Sequence, residues 1–168
     1  MKHIHKILIC VLLVALTLCA FASCDDKPQA KHLTDLQLPQ LKDNQIAVII
    51  KNGDGDYTGY TVNLDKVSAQ EKITAEDVLA YLKEVSDLAL DWTDSSYGKY
   101  INSIGGITPD ASKNEYVTVL TSNTEFQGAW AGVDELKVGD VTLKSASVGV
   151  TELGVAQGDV IYFELASY

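Results

Sequence analysis

The sequence predicts an α+β domain in which a mixed or mostly antiparallel sheet packs on one main helix. Three observations carry this. Short β-branched or alternating runs recur between turn residues, as strands do. A single segment has the apolar spacing and the start signal of an amphipathic helix. The stretch Y-G-K-Y-I-N-S-I-G-G-I at 97–107 has neither period, yet it is dense in aromatic residues and glycine, as a presented loop would be.

The chain opens on a basic start, with Lys2 and Lys6, followed by sixteen nearly apolar residues at 7–22. A membrane span needs roughly 20 such residues, so residues 1–23 are expected to be a signal peptide. Ala22 and Ser23 precede Cys24 at the break into Asp25 and Asp26, which is similar to a bacterial lipobox. That resemblance implies cleavage before Cys24, lipidation of its thiol, and an anchor on the extracytoplasmic face of the cell membrane. An ordinary secretory cut after Ala22 or Ser23 is the other reading. Cys10 and Cys19 belong to the leader, so the mature chain would have no disulfide.

Residues 24–44 hold charges, Pro28, Pro39 and isolated leucines without a period, and are expected to be a flexible tether. The domain is then residues 45–168. It should begin with the β-branched run at 46–51, turn through Asn52, Gly53, Asp54, Gly55 and Asp56, and return along 57–64 with Tyr60, Val62 and Leu64 alternating. The turn resembles the start of a calcium loop, but Tyr57 and Asn63 stand where glycine and the bidentate glutamate are needed, so a hairpin is expected. Thr74 as N-cap, with Asp77 three residues on and Ile73 before it, opens the helix. Val78, Leu79, Leu82 and Val85 form its apolar stripe.

Residues 88–93 read as a short strand or connector, with Trp92 in the core. Residues 114–121 read as a central strand covered on both faces. Short strands are expected at 141–143 and 147–150, and a Gly158-Asp159 turn leads into a closing strand with Ile161, Phe163 and Leu165 on one face.

The capped helix, the 97–107 stretch and the late G-D-V-I-Y-F-E-L strand at 158–165 together resemble the C-terminal (β) domain of transcobalamin and its bacterial relatives, often lipoproteins. The resemblance covers the chain from about Gln45 onward. It implies a β-grasp-like fold, a sheet wrapped on one helix, and a cobalamin or related corrinoid as bound ligand. The strand after the loop departs from the family by carrying Tyr116 where relatives carry tryptophan.

Composition limits the chemistry. Beyond the leader, eleven lysines face twenty-three carboxylates, a net charge of −12, which repels nucleic acid and anionic lipid. No arginine is present, and His32 in the expected tether is the one histidine beyond the leader. Nucleophile–histidine catalysis, ordinary zinc sites and imidazole coordination of a corrin or haem all lack their parts in the domain. A carboxylate-dependent hydrolase survives on composition alone, so the expectation is no enzyme, no cofactor and no metal.

The candidate binding residues are Tyr97, Gly98, Tyr100 and Ser103 of the central stretch, with Trp130, between Gly128 and Gly132, as a second wall. Each ring could be exposed or core. The spacing of Tyr97 and Tyr100 would let one pack inward while the other faces a ligand. The expected partners are a small-molecule ligand, a membrane importer served by the anchored binder, and the membrane through the lipid. The alternative is a surface protein–protein interaction or structural module without a small ligand.

Overall fold

A computed structural model describes residues 27–53, 55–69 and 71–167. The leader and Cys24 lie outside the described residues.

The run Ile46-Ala47-Val48-Ile49-Ile50 has no exposed surface at any position. It forms β2 (Gln45–Lys51), paired antiparallel with β3 (Tyr57–Asn63) as a hairpin, and it must be covered on both faces. On one face Ile46, Val48 and Ile50 meet α1 (Ala75–Val85), whose Val78, Leu79 and Leu82 are fully buried. Burying each such side chain contributes roughly 1.5–3 kcal/mol. The helix starts as its sequence says: Thr74 Oγ1 accepts from the Asp77 N–H, and the Asp77 carboxylate accepts from the Thr74 N–H at 2.8 Å. On the other face Ala47 and Ile49 join Leu120, Leu143, Val160 and Tyr162.

That second face is covered by the stretch expected to be a tether. Residues Lys31–Leu33 form β1, antiparallel to the start of β3, and Leu36, Leu38 and Leu41 lie against the second cluster. Their physical reason is the apolar sheet face beneath them, which would otherwise meet water.

The remaining strands are β4 (Leu90–Ser95), β5 (Gly98–Ile104), β6 (Glu115–Thr121), β7 (Glu135–Val138), β8 (Val141–Ser145) and β9 (Val160–Ser167). The main sheet is curled and runs β1-β3-β2-β9-β6-β8-β7, parallel only at β2 and β9, while β4 and β5 form a separate two-stranded sheet. The fold is therefore mixed α+β, mostly strand, with one α-helix among the described residues. Two expectations need correction. The 97–107 stretch is largely a strand, β5. Residues 147–150 are not a strand: Glu152 and Leu153 both donate to the Gly149 carbonyl at 3.0 Å, closing a turn instead.

Candidate functional site

The β4–β5 hairpin owes its hidden period to one extra residue. Trp92 pairs with Ile101 and Asp91 with Ser103, so Asn102 is a β-bulge, its amide donating to the Asp91 carboxylate at 2.9 Å. A bulge shifts the alternation by one. Ile101 and Ile104 consequently both point into the core, while Tyr100 and Ser103 sit opposite Thr93 and Asp91 on the outer side. Tyr97 stands at the hairpin tip, 91% exposed, and Tyr100 is 54% exposed. Neither ring packs inward, so the split expected from their spacing does not occur.

The tip is held in place from below. Ser95 Oγ accepts from the Tyr97 N–H at 3.1 Å and donates to the Gly98 carbonyl at 2.7 Å. Gly98 has φ +92°, and a Cβ there would lie 2.5 Å from Thr151 Oγ1. The same hydroxyl accepts from the Lys99 N–H at 3.0 Å and donates to the Glu76 carboxylate at 2.7 Å, tying the hairpin to the start of α1. Glycine is thus required at position 98 by the positive φ and the close approach of Thr151. At the other end Ile104 and Ile107 exchange two backbone bonds around Gly105 and Gly106, and a Cβ on Gly105 would be 2.8 Å from Ile50 Cδ1. Beneath the hairpin, the Lys83 and Lys99 ammonium groups lie 5.8 and 5.7 Å from the half-buried Trp92 ring.

Trp130 follows a short 3-10 turn, Thr124–Phe126. Its ring lies across Gly128, leaving no room for a Cβ there, and remains 51% exposed. It lines an open cleft of about 550 Å³ together with Tyr116, Val117, Val119, Ala146 and Val148. Tyr97, Gly98, Tyr100 and Ser103 do not line that cleft. The turn at 148–151 borders both places: Val148 lines the cleft, and Gly149 lies against the Tyr97 carbonyl. A second groove, of about 840 Å³, runs between residues 27–40 and the outer edge of β3, with none of the predicted residues in it.

Thr151 carries no sequence signal, and Val148, which reads as a strand residue, is placed at the cleft by the turn instead. Tyr116 was visible only as the aromatic residue of the strand after the loop. Among the described residues, no group of three or more His, Cys, Asp or Glu side chains is placed to hold a metal ion. His32 is on β1, 3.8 Å from the Asp56 carboxylate and at the opposite end of the strand order from β7.

No protein-family model matches the sequence, and no curated protein does. Among solved structures, the chain is similar to a Ruminococcus gnavus protein provisionally described as metal binding, at 15% identity over 74% of this chain and 98% of that one, with a TM-score of 0.49. It is also similar to haptocorrin, solved in complex with Cbi, at 13% identity and a TM-score of 0.46 over 79% of this chain. The match spans 27% of the haptocorrin chain. At these values neither likeness carries a ligand across.

Proposed function

We propose that this chain is an extracytoplasmic lipoprotein, anchored through Cys24, whose β-grasp-like domain binds a flat amphipathic ligand without transforming it. The observation that carries the reading is the exposure of Tyr97, Tyr100 and Trp130, the three aromatic rings among the large apolar side chains left exposed in the described residues. A folded domain gains by burying such rings, and leaving three outside favours recognition. The ligand class rests on the sequence resemblance at 97–107, which points to a corrinoid. The hairpin residues fit contact with such a ligand: the two phenol rings offer flat apolar area, and Ser103 and the tyrosine hydroxyls offer hydrogen bonds, while the Trp130 indole stands in a separate cleft. They do not fit imidazole or thiolate ligation of a corrin metal, since neither group lies among the described residues of the hairpin or cleft. A binder tethered to the membrane would raise the ligand's effective concentration beside an importer.

The test is a titration of the mature chain with cobalamin, cobinamide and haem, read by absorbance and by melting temperature. A corrinoid-dependent shift in both is expected. No movement with any of the three would remove the corrinoid reading.

A further inference from the structure

Strand β6 is bonded along its whole length to β9 but pairs with β8 only at Leu120 and Thr121. In an antiparallel ladder, alternate residues turn their N–H and C=O to the same neighbour. Ser122 donates to the Val160 carbonyl at 3.0 Å, so the even-numbered residues of β6 serve β9 and the odd-numbered ones face the other way. The bonds on that other side agree: the Ala146 N–H reaches the Val119 carbonyl at 2.8 Å, and the Gln127 amide reaches the Thr121 carbonyl at 2.9 Å. Past Ala146 the chain turns away, with Ser147 donating to Phe126 at 2.8 Å. The Val117 N–H, the Val117 carbonyl and the Val119 N–H are left without a partner among the described residues, facing the cleft walled by Trp130 and Val148.

Half-buried backbone groups of this kind normally find partners. Elsewhere the sheet guards its edges. β1 is three residues long and carries Lys31 and His32, and β7 is four residues long with Glu135 and Lys137. The gap beside β6 has no such guard, being flanked by Val117, Val119, Ala146 and Val148.

We propose that this gap takes an extended peptide segment of a partner protein, added as a strand between β6 and the 146–148 turn. Charge sets the kind of segment. Asp134 lines the cleft and no lysine does, in a chain whose net charge is −10, so the fitting strand alternates apolar and basic residues. Its backbone would complete the Val117 and Val119 groups while alternate apolar side chains meet Val148 and the Trp130 ring. The inference does not rest on the corrinoid reading, because it is carried by the β6 backbone and not by the Tyr97 and Tyr100 rings; Trp130 is the one side chain that both readings name.

The test is amide-resolved NMR on the mature full-length chain, titrated with an acetylated, amidated pentapeptide of alternating valine and lysine. In the free chain the Val117 amide should exchange rapidly while the Thr118 amide is protected. Added peptide should move and slow the Val117 and Val119 amides. Methylating every second peptide nitrogen in one phase should weaken binding by about tenfold, since hydrogen bonds are lost, and methylating the other phase should leave it unchanged. Val117→Pro removes an outward N–H without touching the β9 ladder, and it should abolish peptide binding while sparing ligand binding that depends on Tyr100. A Val117 amide as protected as that of Thr118, unmoved Val117 and Val119 signals, or equal binding of the two methylated peptides would each overturn the proposal. If Val117→Pro fails to fold, the exchange and methylation results still decide.

Discussion

The chain builds two hairpins from similar β-forming residues and treats them in opposite ways. β2 and β3 sit inside the main sheet, with residues 46–50 wholly buried and both faces covered. β4 and β5 stand apart as their own sheet, with Ile101 and Ile104 turned inward and Tyr100, Ser103 and the tip residue Tyr97 turned away. The first hairpin is made to be stable and the second to be presented. Thr151 and Gly105 are where the second is fastened to the body, through α1 and through Ile50 respectively.

The comparison predicts a graded response to mutation. Ile49→Ala, at the centre of β2, should cost about 2–5 kcal/mol through the cavity it leaves, measured as a fall in the urea midpoint. Gly105→Ala forces a side chain onto φ +57° and against Ile50. It should cost at least about 1–2 kcal/mol and loosen the hairpin, visible as faster amide exchange in β5. Thr74→Ala removes the helix cap and should cost about 1 kcal/mol. Tyr100→Ala, on the presented side, should change stability by no more than about 0.5 kcal/mol. A large loss of stability there would erase the distinction between the hairpins.

The buried hairpin also has a pH signature. Burial, and then the Asp87 carboxylate 3.4 Å away, push the Tyr60 phenol from its ordinary value of 10 up to about 12. The unfolded chain releases this proton near pH 10 while the folded one retains it. The stabilisation is therefore complete below about pH 10 and is lost as the pH rises through about 12. Burial shifts Tyr162 in the same direction. Melting temperatures measured upward from pH 9 should fall over that window, and Tyr60→Phe should flatten the decline.

Much of the scaffold was legible because its signals are local. A wholly apolar, mostly β-branched run at 46–50 marks β2, a capping box marks α1, and Ile161, Phe163 and Leu165 mark β9. The presented hairpin was not legible as strands, because the bulge at Asn102 breaks the two-residue period just where Tyr100 and Ser103 lie. Val148 and Val150 look like strand residues, but the backbone bonds to Gly149 and Phe126 bend that segment. Residues 27–44 gave no period because Leu36, Leu38 and Leu41 serve a sheet face made elsewhere in the chain. The three aromatic candidates, chosen by residue type, are exposed, and they are not grouped: Trp130 lines a cleft that the two tyrosines do not enter. That separation depends on the 148–151 turn, which no local pattern announces.

The central claim is that the outward rings of the β4–β5 hairpin recognise a ligand and do not support the fold. The most direct test is the cobalamin affinity of a Tyr97→Ala, Tyr100→Ala double variant measured beside the native chain, with melting temperature as the control. The claim predicts an unchanged melting temperature and an affinity weakened by about tenfold or more, on the order of the contribution of two ring contacts. A native affinity in the double variant, or a variant that no longer folds, would contradict it.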